Sequence, residues 1–120
     1  MVTDDASQRK EETAYEAFTA LEVRVGKILT AVLHPKAKKP AYQLTIDFGT
    51  LGVKKSSAQL TVQYQPEDLI GRQIVAVVNF PPRLIGGFTS EVLVLGALHD
   101  DGAVTLLTPE RAVPLGAPIA

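Results

Sequence analysis

The chain has 120 residues, 46% of them hydrophobic and 21% charged, which suits one domain with a buried core and excludes both wholesale disorder and two ordinary domains. It has no cysteine, which excludes disulfides and thiolate metal sites, and no apolar run of about 18 residues that would span a bilayer as a helix. The net charge of −1 hides an asymmetry, because residues 1–22 sum to −4 and residues 24–55 to +6. An anion-binding face in the first half of the domain therefore stands beside the plainer reading of a solvated lysine-rich surface.

In chain order, residues 1–13 are polar and mixed in charge, and read as a flexible lead-in to a domain over 14–120. They lack the apolar core of an export signal, so the cytoplasm is the expected compartment. Between Glu11 and Leu21 the apolar Ala14, Tyr15, Phe18 and Leu21 recur at spacings of three and four, which predicts a short amphipathic helix. VRVGKILTAVLH then predicts a strand, with Gly26 a candidate bulge. HPKAKKP, with two prolines and three lysines, is a basic loop.

YQLTIDF (42–48) alternates, with Tyr42, Leu44, Ile46 and Phe48 on one face and Gln43, Thr45 and Asp47 on the other, as a half-buried strand does. GTLGVKK is expected to turn the chain, and SSAQLTVQY alternates again to complete an antiparallel hairpin. In QPEDLIGRQ, Pro66 suits the first position of a single helical turn, Glu67 and Asp68 complement its dipole and Gly71 ends it. QIVAVVNF and EVLVLGAL are continuous apolar runs, expected to be strands buried on both sides or at an oligomer interface. PPRLIGGFTS between them reads as a loop. AVTLL is a last short strand and PERAVPLGAPIA a proline-punctuated terminal arm. Five strands with a short helix between the third and fourth is the order of an OB-fold, a small all-β Greek-key barrel.

Catalytic constellations are thin. His34 and His99 are the only histidines and have no metal-ligand spacing, so neither a metal nor another cofactor is expected. Ser56, Ser57 and Ser90 sit in no nucleophile elbow, and Gly86–Gly87 is too short for a phosphate-cradling loop. A binding protein is expected rather than an enzyme. Two features bear on binding. Lys36, Lys38, Lys39, Lys54 and Lys55 lie in the segments flanking strand 42–48, where an OB barrel exposes its rim to phosphates. Phe80, Leu84, Ile85 and Phe88 are apolar in a stiff segment expected at the surface, either tucked on the barrel or lining a partner's groove.

LEVRVGKI, HPKAKKPAYQLTIDFG and SSAQLTVQYQPEDLIGRQIVAVVNFPPRLIGGFTSEVLVLG together resemble the tRNA-binding domain, an OB-fold module appended to methionyl- and phenylalanyl-tRNA synthetases. DFG, SSAQ, NFPPR and SEVLVLG in that order resemble its CsaA branch, single-domain secretion-related chaperones. The resemblance spans roughly residues 15–120. It implies a homodimer paired through the helix near Tyr15–Leu21 and the arm after Asp101. It implies binding of unfolded or precursor polypeptides at an apolar lining of Phe48, Phe80, Pro82, Ile85 and Phe88. The wider family's use of tRNA carries over to Asn79, Ser90 and Glu91, with Lys36, Lys38, Lys39, Lys54, Lys55 and Arg83 as cations. Where related modules carry a lysine-rich NLKPRK-like stretch and SEGM, this chain reads NFPPRL and SEVL, so fewer cations line that loop.

Overall fold

The computed structural model describes residues 9–120, and its organising element is one long strand, β1 (Val23–Leu33). The first half of β1 pairs antiparallel with β4 (Gln73–Val77) and its second half with β2 (Tyr42–Asp47), so that one strand belongs to both walls of a barrel. β3 (Val53–Ala58) pairs with β2, and β7 (Leu93–Val94) with β4, giving the five-strand order β3-β2-β1-β4-β7. The result is a nearly closed, mostly-β antiparallel barrel of the OB type. A one-turn helix, α2 (Pro66–Leu69), joins β3 to β4. Its capping box is made by Gln65 and Asp68, and Gly71 follows at φ +85°, as the sequence suggests.

The barrel interior is filled by Ile28, Leu44, Ile46, Phe48, Leu69 and Ile74, all fully buried. β4 is buried on both sides, as its continuous apolar run predicts. Ile74 and Ala76 face this interior, while Val75 and Val77 join Val23 and Val25 in a second, smaller cluster outside it. The terminal arm covers that cluster. Val25 N–H donates to Ala117 O at 3.0 Å and Ile119 N–H to Val23 O at 2.9 Å, which satisfies the edge of β1 that β2 does not reach. Val113 and Ala117 pack onto the valines. Gly116, at φ +86°, lies so close to the end of β2 that a Cβ there would meet Phe48 O at 2.6 Å. The arm expected to serve pairing between copies thus first completes its own barrel.

Several expectations need correction. The helix expected over 11–21 is one turn, α1 (Glu16–Thr19), with no side-chain cap. Tyr15 is 74% exposed and Phe18 41%, and without packing so short a helix has little to propagate it. Gly26 is not the bulge. It pairs regularly with Ile74, and the register shift falls between Ile28 and Thr30. Gly26 is required because a Cβ would stand 2.6 Å from both Ile46 Cγ2 and the Phe48 ring.

The strand expected from Ser56 to Tyr64 starts earlier, at Val53, and stops at Ala58. Leu60 and Tyr64 are both buried, but through a turn in which Tyr64 N–H donates to Leu60 O, so a spacing of four imitated strand alternation. The apolar run from Glu91 to Leu98 is broken into β7 and β8 (Gly96–Leu98), which pairs with β9 (Val104–Leu106), and Leu93 and Leu98 are exposed. PPRLIGGFTS is a hairpin rather than a loop. β5 (Arg83–Ile85) and β6 (Phe88–Ser90) are joined by Gly86 and Gly87, both at positive φ, as a tight two-residue turn demands. Of the polar lead-in, residues 1–8 lie outside the described residues, and 9–13 form no helix or strand.

Candidate ligand-binding face

The outer face of the barrel follows from strand alternation. With Leu44, Ile46 and Ile28 turned inward, β2 presents Gln43, Thr45 and Asp47 outward. β1 adds Lys27, Thr30 and Val32, and β3 adds Val53, Lys55 and Ser57. The hydroxyls of Thr30 and Thr45 hydrogen-bond to each other at 2.6 Å across the ladder. A mixed face with hydroxyls at its centre, an amide, two lysines and no aromatic ring can take an extended polar ligand, and it is the face that OB barrels use for oligomeric ligands together with the loops at its rim.

Those rim segments meet here. The basic loop after β1 and the β5–β6 hairpin are held together by His34, which is 5% exposed. Its Nδ1 accepts the Lys36 N–H at 3.2 Å, which leaves the ring's proton on Nε2, and Nε2–H donates to Ile85 O at 2.8 Å. The ring meets Phe88 edge-on at 5.8 Å. Gly86 closes against the loop so tightly that a Cβ would lie 2.7 Å from Lys36 O. From β3, the Lys55 ammonium stands over the Phe88 ring, 5.4 Å from its centroid. Lys36, Lys38, Lys39, Lys55 and Arg83 are all exposed along this junction. Lys54 is not among them. It alternates to the opposite side of β3 from its neighbour Lys55 and is half-buried.

The polar residues carried over from the wider family are occupied by the fold. Ser90 is 9% exposed, and its hydroxyl accepts the Ser57 N–H at 2.9 Å. Glu91 accepts the Lys55 N–H at 2.9 Å through Oε1, while its own N–H donates to Lys55 O at 2.8 Å. The buried Ser56 hydroxyl donates to Val92 O at 3.0 Å. Together they stitch β3 to the segment before β7 and close the barrel where strand pairing lapses. Asn79 likewise accepts the Glu22 N–H and donates to Ala20 O, which fixes the entry into β1. Ser90→Ala is therefore expected to cost about 1–3 kcal/mol, since it strips a strand N–H of its acceptor. Faster amide hydrogen exchange at Ser57 would report the opened seam, and unchanged exchange would refute it.

The apolar lining separates similarly. Phe48 is fully buried and cannot touch a ligand while the barrel is closed. Ile85 and Phe88 are half-buried, turned with Arg83 and Ser90 toward the barrel, whereas Leu84 alternates outward and is 75% exposed. Phe80 is 43% exposed and Pro82 exposed. Sequence reasoning missed Thr30 and Ser57 as face residues, and did not use Thr45 although the alternation of 42–48 already put it outward with Gln43. Leu84 was named in the apolar segment but left out of the ligand lining. It also missed His34 as the tie, for which only its place beside the lysines was a signal. Among the described residues there is no cluster of three metal-ligating side chains, and no helix is long and apolar enough to cross a membrane.

The model of the family described as "Putative tRNA binding domain" matches residues 23–118. The chain belongs to the tRNA-binding domain family. Its CsaA-like character is equally plain. The crystal structure of chaperone CsaA from Bacillus anthracis matches it with a TM-score of 0.88 at 51% identity, over 92% of this chain and 100% of that one. The CsaA chaperone protein from Picrophilus torridus matches with a TM-score of 0.84 at 48% identity, over 91% and 100%. The methionine–tRNA ligase of Parabacteroides distasonis is 34% identical over 110 residues, which is 92% of this chain and 16% of the ligase. The chain thus spans about a sixth of the length of the curated ligases it matches.

Proposed function

We propose that this is a CsaA-like molecular chaperone that binds unfolded or export-bound polypeptides in the cytoplasm without ATP hydrolysis, as a homodimer. The observation that carries the reading is the 51% identity to a CsaA chaperone along the whole of that chain. The surface supports it. Tyr15, Phe18, Phe80 and Leu84 are between 41% and 75% exposed, more large apolar side chains than solubility favours at these segments. Phe80, Pro82, Ile85 and Phe88 remain the client-facing set, to which Leu84 is added and from which Phe48 is removed. Covering a side chain such as Leu84 contributes roughly 1.5–3 kcal/mol, and only part of that survives the cost of ordering the client. Weak, promiscuous holding is the expected behaviour. Leu21, Asn79, Pro118 and Ile119 line a groove, and the exposed Tyr15 and Phe18 on the segment just before Leu21 support docking of a second copy on this side.

Aggregation of a chemically unfolded client on dilution tests the reading. Suppression at a few dimer equivalents is expected, and Leu84→Ser is expected to weaken it while changing stability by less than about 0.5 kcal/mol. No suppression by the unmodified chain would overturn the proposal. A second reading, tRNA binding, is favoured by one arrangement: four exposed cations on two rim segments, with Lys55 of β3 next to them, beside the hydroxyl face. The available stacking aromatics are few, so its affinity would rest on phosphate contacts and fall with salt.

A further inference from the structure

We infer that His34 is the positioning residue of the ligand-binding face, clasping the apolar hairpin to the lysine loop so that the two act as one surface. The inference rests on the reading above that this face takes a ligand. Neither rim segment is anchored well by itself. The basic loop, residues 34–40, contains two prolines and no strand, and the hairpin is a two-stranded sheet of three residues per strand, too small to be stable alone. β6 is tied to β3 through Ser90, but β5, which carries Arg83 and Leu84, has its outer edge toward the loop.

Across that edge the His34 side chain makes a hydrogen bond to the backbone of Ile85 while its other nitrogen holds the Lys36 amide. Both ring nitrogens are used, in opposite senses, by two different segments. Only the neutral ring with its proton on Nε2 fits both partners, because the Lys36 N–H needs an acceptor and Ile85 O needs a donor. Phe88 against the ring edge and Gly86 against the loop backbone leave no room for the hairpin to slide. A buried imidazole so placed fixes the distance between Leu84 on the hairpin and the ammonium groups of the loop. Released, the two segments would still carry their residues, but a ligand would have to order them at its own cost.

Two near-isosteric replacements separate the bonds. His34→Gln can present an amide N–H to Ile85 O, whereas His34→Asn can accept from the Lys36 N–H in a local turn but falls short of Ile85. With an unfolded precursor peptide as probe on the full chain, binding by His34→Gln is expected within about threefold of the unmodified protein. His34→Asn is expected to lose about tenfold, the worth of one such hydrogen bond, at a melting temperature comparable to that of His34→Gln, since each variant gives up one of the two bonds. Amide exchange at Gly86 and Gly87 should rise in the Asn variant alone. Equal behaviour of the two variants, or binding losses that merely follow melting temperature, would overturn the inference. Imidazole nitrogen shifts of the unmodified protein give an answer that needs no variant: a proton on Nδ1 would sink it. If the unmodified protein binds no peptide, the proposed function fails, while exchange and ring-nitrogen shifts still decide the clasp.

Discussion

Replacing Phe48 by Ala is expected to destabilise the barrel by about 3–5 kcal/mol, and not to weaken ligand binding selectively. The side chain is fully buried among Ile28, Ile46 and Ile74, with its ring against the bare α-carbon of Gly26. Truncation would leave a cavity at the point where β1 crosses between its two partners. The backbone of Phe48 also bears on the arm through the close approach of Gly116. The complementary change, Gly26→Ala, is expected to cost about 1–3 kcal/mol by overpacking the same space. Because the two share one volume, Gly26→Ala should cost distinctly less in a Phe48→Leu background than alone. Urea denaturation midpoints at constant slope measure all four corners of this cycle. Additive costs, or a Phe48→Ala protein of unchanged stability that has lost only its ligand, would contradict the assignment of Phe48 to the core.

The second large effect concerns the cations. Neutralising Lys36, Lys38, Lys39 and Lys55 together is expected to lower the slope of log affinity for tRNA against log salt by about 3, since each phosphate contact contributes roughly 0.7–0.9. At about 0.1 M salt this corresponds to an affinity loss on the order of 10²–10³. Lys54→Ala is the internal control. It sits one residue from Lys55 but faces the other side of β3, so its slope should match that of the unmodified chain. Peptide binding, carried by apolar burial, should persist through the same substitutions. A slope that does not respond to the four lysines would remove the tRNA reading and leave them as surface charges.

How much was legible in the sequence differs from segment to segment. The strand 42–48 and the turn at 66–69 were plain, because a two-residue period and a proline followed by two acids and a terminating glycine are local signals that the structure uses locally. The hairpin at 83–90 was misread as a loop. Its strands have only three residues, too few for alternation to register, and the Gly86–Gly87 pair was the better sign. Leu60 and Tyr64 misled because the positions of a helical turn coincide with every second alternate position of a strand. Ser90, Glu91 and Asn79 were singled out through family resemblance, which marks a residue without saying whether it holds ligand or backbone. Only their hydrogen bonds to Ser57, Lys55, Glu22 and Ala20 separate those roles. His34 was set aside as a poor metal ligand, and its partner Ile85 lies 51 residues away in sequence, where no local pattern could reveal it.

The measurement that bears most directly on the account is titration of one preparation with an unfolded precursor peptide and with bulk tRNA, each at low and physiological salt. The chaperone reading predicts peptide binding that persists in salt, with tRNA binding weak at low salt and lost at physiological salt. Steeply salt-dependent tRNA binding with no affinity for the peptide would contradict it, and would make the chain a tRNA module whose apolar hairpin serves only the fold.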